Sequence, residues 1–275
     1  MVEDWKRRFN RAMKIDVVVC TKNNADTIKH VLGRILKYVP VNKLIIIDGI
    51  SKDGTLEIAK EFGAKIYSDQ GKGLGYARNM ALSIVETEIF AFIDADVLIP
   101  KDWFNLIKHF KYERVAVANG FIMFGFNDPI LKALSKYQLQ NRRYKQINLG
   151  NALVRLKSVI KVGGIKRGLP SSEDSELHAR LLKHGFKWVV DKNVVAYHPR
   201  TLKEHLAHMR WWGIGDRVAG SPPTSYLYAI VRSFGSGLNL ALQAHPTLLI
   251  LFPLFRLNRY LGYLEQAKME KVECA

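Results

Sequence analysis

Cysteine is scarce in this chain of 275 residues, which contains only Cys20 and Cys274. So few cysteines exclude a small fold held together by disulfides and favour a reducing compartment. The sequence also lacks internal repeats and any uninterrupted run of about 20 apolar residues, the length that a membrane-spanning helix needs. Residues 1–14 lack the apolar stretch of a secretory signal. These absences, with a hydrophobic fraction of 48%, predict a globular protein of the cytoplasm.

Acidic residues are also few compared with basic ones. The chain has 25 aspartates and glutamates and 42 lysines and arginines, which gives a formal net charge of +17. Such an excess draws a protein towards polyanions, which include nucleic acid, anionic lipid headgroups and phosphorylated substrates. Part of it lies in residues 1–14, where Trp5, Phe9 and Met13 recur every fourth residue among basic side chains. This pattern indicates either a short amphipathic helix at a membrane surface or a lead-in that packs on the domain.

Apolar runs of two kinds alternate over residues 15–94. Short runs rich in β-branched residues predict buried strands, and stretches with helical spacing of apolar residues predict helices between them. Such an alternation predicts an α/β fold with a mostly parallel central sheet and helices on both faces. The predicted strands are 15–21, 43–48, 64–68 and 88–94, and the predicted helices are 26–38, 54–62 and 76–85.

The pattern is looser after residue 100. Helices are predicted at 130–145 and 173–184, and 187–197 is interpreted as a pair of strands broken near 192–193. Residues 233–255 carry no formal charge, but polar residues interrupt this run and tyrosines flank it. We interpret the region as two amphipathic helices that lie on or slightly within a bilayer, with a helical hairpin packed on the core as the alternative.

Carboxylates stand at the ends of two predicted strands. Asp48 and Asp94 end the strands 43–48 and 88–94, and Asp96 follows two residues after Asp94. Ligands of parallel α/β sheets bind at the carboxyl ends of the strands. Two alternating carboxylates can share a Mg²⁺ or Mn²⁺ ion, which takes oxygen ligands and bridges phosphates. The D-A-D triplet at 94–96 therefore predicts either a metal site or a surface turn.

A glycine-rich segment and an acidic helix start are further candidates. Residues 71–79 read G-K-G-L-G-Y-A-R-N, in which Lys72 and Arg78 could meet a phosphate where a helix begins. The spacing is neither that of a dinucleotide-binding fingerprint nor that of a Walker A loop. Glu173, Asp174 and Glu176 open the helix 173–184, where acids either complement the helix dipole or include a general base.

In order and spacing these motifs resemble those of the family-2 glycosyltransferases of the GT-A fold. The matching segments are C-T-K-N-N at 20–24, D-G-I-S-K-D-G-T at 48–55, G-Y-A-R-N at 75–79, D-A-D at 94–96 and E-D-S-E-L at 173–177, with G-N-A at 150–152 and G-G-I at 163–165. The ordered set covers about residues 15–199.

The resemblance implies an enzyme that moves a hexosyl group from a nucleotide-diphosphate sugar to a hydroxyl acceptor with inversion, using Mn²⁺ or Mg²⁺. Asp174 would be the catalytic base, and Asp96 would hold the metal. Asp48 would contact the nucleotide base, while Arg78 and Asp94 would hold the nucleotide-ribose portion. The complete set implied for donor binding is Thr21, Asn23, Asp48, Arg78, Asp94 and Ala95, and Lys72, Glu173 and His198 are secondary candidates.

The chain departs from the family pattern in three places. Gly49 stands where many members have a second acid, Cys20 replaces a common proline, and V-L-I-P at 97–100 replaces the L-Q-H-P of dolichol-phosphate-sugar synthases. The last departure favours an acceptor other than a polyprenyl phosphate, although such a synthase stays an alternative. A second alternative function is that of a nucleotidyltransferase with a similar α/β fold. The N-terminal region, however, lacks a phosphate loop like G-x-G-T-R. A nucleic-acid binder would leave the ordered acids unexplained.

The resemblance also suggests a division of the chain. Residues 1–14 would be a basic lead-in, 15–220 the GT-A domain with a nucleotide-sugar half (15–99) and an acceptor half (100–220), and 221–275 the C-terminal helices. The expected partners are a UDP- or GDP-linked sugar, a glycan or lipid-linked acceptor and an anionic membrane surface, with no specific nucleic acid. We expect the protein to be peripheral at the cytoplasmic face of the membrane.

Overall fold

The computed structural model describes residues 13–125 and 127–273, so the predicted amphipathic segment around Trp5 and Phe9 lies outside it. The chain forms two compact units. The first comprises the residues up to 122 together with 146–167 and 174–197. The second comprises 123–145, 168–173 and the residues from 198 onwards.

The first unit is built on a sheet of seven strands in the spatial order β3-β2-β1-β4-β6-β5-β7. Strands β3, β2, β1 and β4 are parallel, whereas β6 runs antiparallel to both of its neighbours. This architecture confirms the predicted α/β fold with a central sheet. The strands are β1 Ile15–Thr21, β2 Val41–Asp48, β3 Lys65–Ser68, β4 Ile89–Ile93, β5 Val115–Phe124, β6 Asn151–Arg155 and β7 Lys187–His198.

Helices connect the parallel strands as the alternation predicts. The helix after β1 turns an apolar face inwards through Ile28, Val31, Leu32 and Ile35, all fully buried. The predicted helices and strands before residue 94 are present, with ends that differ by a few residues, as fraying ends do. The helices of this part are α1 Ala25–Tyr38, α2 Thr55–Glu61, α3 Leu74–Ala81, a 3₁₀ helix Trp103–Lys111, α5 Leu156–Lys161 and α6 Glu173–Lys183.

Two predictions beyond residue 100 were wrong. Residues 187–198 form one uninterrupted strand, β7, and not a pair broken near 192–193. The polar residues there fit a strand because buried Asp191 accepts hydrogen bonds from Lys108 Nζ (2.8 Å) and His109 Nε2 (2.9 Å). Burial tends to raise the pKa of Asp191, but these hydrogen bonds outweigh it and lower that pKa to about 2. The helix predicted at 130–145 ends at Gln140.

The second unit consists mainly of helices. Its core contains buried apolar side chains from all four of them, including Leu131, Met209, Leu240 and Phe255. The helices are α4 Pro129–Gln140, α7 Leu202–Val218, α8 Thr224–Gln243 and α9 Leu248–Glu273. The predicted C-terminal helices are thus present as α8 and α9, and α9 packs against both α7 and α8.

The packing of α7 on α9 depends on two glycines. A Cβ atom at Gly213 would overlap the Arg259 carbonyl, and one at Gly262 would overlap the Arg210 carbonyl. The two backbones therefore approach closely, since glycine removes the side chains that would separate them. Within the described part of the chain, no helix combines the length and the apolar character needed to cross a membrane.

Candidate functional site

The carboxyl ends of β1 and β2 place Thr21 beside Asp48, because the two residues are partners in the parallel ladder. Asp48 is buried, and its carboxylate accepts hydrogen bonds from the backbone N–H of Ser51 (2.9 Å) and from Ser51 Oγ (2.5 Å). Thr21 Oγ1 donates to Asn24 Oδ1 (3.0 Å). Asp48 thereby shapes the turn that follows β2, as well as standing at the strand end where the sequence places it.

Asn23 joins the loop after β1 to the loop after β2. Its backbone N–H donates to Ser51 Oγ (2.9 Å), and its Oδ1 accepts from the N–H of Lys52 (2.8 Å). Asn23 adopts a left-handed backbone (φ 54°), which asparagine tolerates better than most residues. The two loops are therefore fixed to each other at the edge of the sheet where ligands of this fold class bind.

The glycine-rich segment leads into α3 and carries an exposed cation. Lys72 Nζ lies 4.8 Å from the centroid of the Tyr76 ring, and Arg167 Cζ lies 6.0 Å from the same ring. Buried Asp69 holds the segment, because its Oδ1 accepts from the N–H of Gly71 (2.7 Å). Lys72 and Arg167 together give this loop a positive surface beside the start of α3.

Arg78 on α3 reaches the end of β4 and binds Asp94. The distance from Arg78 Nη2 to Asp94 Oδ1 is 2.6 Å, and the Arg78 side chain is only 4% exposed, whereas that of Asp94 is 38% exposed. Gly150 supports Asp94 from behind: its carbonyl accepts from the Asp94 N–H (2.9 Å), and a Cβ atom there would overlap the carboxylate. The glycine of the G-N-A motif at 150–152 thus leaves space for the Asp94 carboxylate.

Asp174 lies at the start of α6, and the groups that act on it electrostatically include Arg78 and Asp94. Burial raises the pKa of Asp174 above its usual value, and the negative charge of Asp94 adds to this effect, while Arg78 and the hydrogen bond from the Ser175 N–H (2.6 Å) oppose it. A raised pKa suits a general base, because a proton transfers best to a group whose pKa approaches the working pH. The structure therefore brings together Arg78, Asp94 and Asp174, which lie far apart in the sequence.

The D-A-D triplet forms a turn directly after β4. The Val97 N–H donates to the Asp94 carbonyl (3.1 Å), and Thr27 Oγ1 donates to the Ala95 carbonyl (2.8 Å). Among the described residues there is no cluster of three or more metal-ligating side chains. A pair of carboxylates fits Mg²⁺ or Mn²⁺, which proteins often bind through one or two carboxylates while substrate phosphates supply further ligands. The absence of a side chain at Gly150 leaves room for the Asp94 carboxylate at this turn.

The two remaining candidates, Glu173 and His198, belong to the second unit. Glu173 is buried, and His198 Nε2 lies 3.0 Å from Arg200 Nη2. The His198 ring also packs near the Phe124 ring, with centroids 5.5 Å apart. Their secondary roles stay predictions.

The sequence pattern does not reveal one contact that positions the start of the site, between Asn79 and Ile165. Asn79 Oδ1 accepts from the N–H of Ile165 (3.0 Å), and a Cβ atom at Gly164 would lie 2.6 Å from the same oxygen. The contact fixes the G-G-I turn to α3, one residue after Arg78. The motifs G-Y-A-R-N and G-G-I were visible in the sequence, but their pairing was not.

Comparison with known proteins gives a consistent picture. The model of glycosyl transferase family 2 matches residues 16–158. The chain is 27% identical over 218 residues to the succinoglycan biosynthesis protein ExoA of Rhizobium meliloti (strain 1021). This alignment covers 67% of this chain and 63% of that protein. It is 34% identical over 92 residues to the cholesterol galactosyltransferase of Borreliella burgdorferi, covering 30% of this chain and 25% of that protein. The chain thus spans less than two thirds of the length of these relatives.

Solved structures share the fold. The mannosyltransferase PcManGT from Pyrobaculum calidifontis, in complex with GDP-Man and Mn²⁺, superimposes with a TM-score of 0.61 at 16% identity, covering 94% of this chain and 76% of that one. The glucosyl-3-phosphoglycerate synthase from Mycobacterium tuberculosis, in complex with Mn²⁺, UDP and glucosyl-3-phosphoglycerate, gives a TM-score of 0.51 at 21% identity over 70% of this chain and 75% of that one.

Proposed function

Because the chain belongs to glycosyl transferase family 2, whose model matches more than half of its length, we propose that it transfers a hexosyl group from a nucleotide-diphosphate sugar to a hydroxyl acceptor with inversion. The observation that carries this proposal is the convergence of Arg78, Asp94 and Asp174 next to the end of a parallel strand. A buried cation, a partly exposed carboxylate and a carboxylate of raised pKa are the parts that such a transfer needs.

Asp174 acts as the general base. It takes the proton of the acceptor hydroxyl while that oxygen attacks the anomeric carbon from the side opposite the diphosphate, so the bond to the diphosphate breaks as the glycosidic bond forms. The proton ends on Asp174, and the nucleoside diphosphate leaves. A positioned base of this kind contributes about 10² to 10⁴ in rate.

The donor binds along the ends of β1, β2 and β4. Thr21, Asn23 and Asp48 face the nucleotide base; the Ser51 contacts use two of the roughly four acceptor positions of the Asp48 carboxylate, which leaves capacity for the base. Arg78, Asp94 and Ala95 hold the nucleotide-ribose portion, and Lys72 supplies positive charge for the diphosphate. The fixed contact between the two loops supports this arrangement, because a preformed site loses less entropy on binding.

Asp96, together with Asp94, would hold Mn²⁺ or Mg²⁺. When bound, the ion supplies Lewis-acid stabilisation of the negative charge that develops on the leaving diphosphate. The pair of carboxylates supports this part of the proposal, as does the presence of Mn²⁺ in the two solved structures of the same fold.

A panel of nucleotide-sugars tests the donor assignment. UDP- or GDP-sugars with Mn²⁺ or Mg²⁺ should stabilise the protein against heat by about 2.7 kcal/mol at a concentration of 100 times Kd, and EDTA should abolish the effect. The other nucleoside diphosphate sugars are the controls. The absence of a shift with every nucleotide and nucleotide-sugar would contradict the proposal, and release of pyrophosphate from a nucleoside triphosphate and a sugar phosphate would favour the nucleotidyltransferase alternative.

The acceptor we propose is a lipid-linked or membrane-proximal glycan, reached by a protein bound to the anionic cytoplasmic face of a membrane. The support is an exposed apolar stripe on α8, whose side chains recur at helical spacing and are 53% to 80% exposed. That helix has no acidic residue, and exposed Arg232 lies beside the stripe. Apolar contact combined with attraction of cations to anionic lipid is how amphipathic helices bind membranes. The stripe consists of Leu227, Val231, Phe234, Leu238 and Leu242.

Vesicle binding tests the proposal that the α8 stripe contacts an anionic membrane. The full chain should bind vesicles that contain anionic lipid better than neutral ones, and less well at high salt. Replacing Val231, Phe234, Leu238 and Leu242 with serine should weaken binding by roughly tenfold or more, because each apolar side chain removed from water contributes on the order of 1 kcal/mol.

The matched control replaces exposed Ile160 and Leu182 of the first unit with serine, which should leave vesicle binding unchanged. Equal binding by the stripe variant and the unchanged protein would contradict the membrane proposal. A change from dimer to monomer in the stripe variant, with no effect on vesicles, would instead assign the stripe to contact with a second copy of the chain.

A further inference from the structure

One buried carboxylate in the second unit connects four separate segments. Asp216 on α7 accepts a hydrogen bond from Ser172 Oγ at Oδ1 (2.8 Å), and at Oδ2 it accepts from Tyr226 OH of α8 (2.5 Å) and Arg259 Nε of α9 (2.6 Å). We call these four residues the Asp216 cluster. None of its contacts lies among the groups that the proposed transfer uses, so its role has to be sought elsewhere.

The segment that contributes Ser172 is held unusually firmly. Ser172 has a left-handed backbone (φ 64°), which costs a residue with a side chain free energy unless its surroundings enforce it. Ser171 Oγ donates to the Trp211 carbonyl of α7 (3.0 Å), and a Cβ atom at Gly215 would overlap Ser171 Oγ. Two hydroxyl groups and a close approach at a glycine therefore attach residues 171–172 to α7.

The Asp216 cluster contains a partly buried ion pair between Arg259 and Asp216. Burial tends to lower the pKa of Arg259, but the hydrogen bond and the charge of Asp216 raise it overall. Burial and the hydrogen bond to Asp216 likewise raise the pKa of Tyr226, so its hydroxyl keeps its proton and stays a donor. The cluster therefore ties Ser172 to α7, α8 and α9 through direct hydrogen bonds to one carboxylate.

We propose that Ser172 and Asp216 are positioning residues for Asp174. Asp174 follows Ser172 by two residues, and α6 begins between them at Glu173. The left-handed turn at Ser172 sets the direction in which the chain enters α6, and the hydrogen bond to Asp216 holds that turn. This inference rests on the proposed role of Asp174 as the base, and it gives Ser172 and Asp216 an indirect part in catalysis that acts through the backbone of residues 172–174.

Ser172 is the residue to change, because replacing Asp216 would leave the partly buried Arg259 without its ion-pair partner and endanger the fold. Ser172→Ala removes the hydroxyl alone. Ser172→Gly also removes it but relieves the strain of the left-handed backbone, so this variant should keep more of the thermal stability. Tyr226→Phe is the matched control, since it removes one hydrogen bond from the same carboxylate on a helix that does not lead to Asp174.

The measurement is the release of nucleoside diphosphate from the UDP- or GDP-sugar that stabilises the protein best, with water as acceptor. Both Ser172 variants should lower kcat by roughly 10- to 100-fold, the scale on which misplaced catalytic groups act, with donor affinity unchanged. The acid limb of their kcat profile should move to lower pH, because burial is what raises the pKa of Asp174 and a loosened segment is less buried. Tyr226→Phe should lower the melting temperature and leave kcat and the pH profile unchanged.

Running Asp174→Asn in parallel separates two kinds of failure. If Asp174→Asn is inactive while the Ser172 variants keep kcat and pH profile, this inference is overturned and the proposed function stands. The same holds if Tyr226→Phe loses as much kcat as the Ser172 variants. If Asp174→Asn is active, the assignment of the base is wrong and this inference fails with it.

Discussion

Asp174→Asn should lower the release of nucleoside diphosphate by about 10²- to 10⁴-fold and leave donor binding intact. The amide has nearly the same shape as the carboxylate, but it cannot accept the proton of the attacking hydroxyl. Donor binding should persist because Arg78 and Asp94 remain paired, at a distance of 2.6 Å. Kinetics together with thermal stabilisation by the donor separate the two properties.

The pH profile adds an independent check on this variant. Because burial raises the pKa of Asp174, the kcat of the unchanged protein should fall with decreasing pH at a value above the usual carboxyl range, and Asp174→Asn should lack that limb. Asp102→Asn, on an exposed aspartate with no capping hydrogen bond, is the control and should behave like the unchanged protein. Normal turnover by Asp174→Asn would mean that the base lies elsewhere, with Glu173 the next candidate to test, or that the acceptor is an already ionised phosphate.

Asp96→Ala should abolish the metal-dependent part of donor binding. At a donor concentration of 100 times Kd, this corresponds to a loss of about 2.7 kcal/mol of stabilisation in the presence of Mn²⁺. The physical reason is that a bound ion offsets the repulsion between the diphosphate and the carboxylates around it, and Asp96 is the proposed ligand. Thermal melting with and without donor, in Mn²⁺ and in EDTA, measures the effect.

Asp102→Ala is the matched control for this variant, because it removes an exposed aspartate six residues further along the chain. The donor should raise the melting temperature of Asp102→Ala in Mn²⁺ by as much as it raises that of the unchanged protein. If the donor raises the melting temperature of Asp96→Ala by the full amount, the metal ligand has been misassigned. If the donor still raises the melting temperature of the unchanged protein in EDTA, donor binding needs no metal.

The strands between residues 15 and 94 were predictable because each is a short, largely apolar run with a polar residue at its end or directly after it. Strand β1 matches its predicted bounds, and the neighbouring positions of Thr21 and Asp48 follow from parallel pairing alone. The same logic placed Asp94 at a strand end. In this region, local pattern and tertiary structure agree, which is the condition for reading a fold from sequence.

The later strands could not be predicted because distant residues determine them. Asp191 breaks the apolar pattern of β7, and its partners Lys108 and His109, about eighty positions earlier, help to make it compatible with a strand. Strand β6 depends on antiparallel pairing with β4 and β5, which leaves no periodic signal of its own. Ser172 and Asp216 are likewise 44 positions apart, so no local pattern connects them.

The position of β6 between β4 and β5 has a consequence for the protein while it is being synthesised. Strand β4 ends at residue 93, and the strand that covers its free edge begins only at residue 151. At about 5–20 residues per second, a ribosome needs roughly 3 to 12 seconds to make the chain between them. During that interval the apolar edge I-F-A-F-I is open to pairing with other chains, which is the usual route to aggregation. Gly150, which packs against the Asp94 carboxylate, is also missing until then, so a nascent chain cannot complete the proposed donor site before residue 150 has been made.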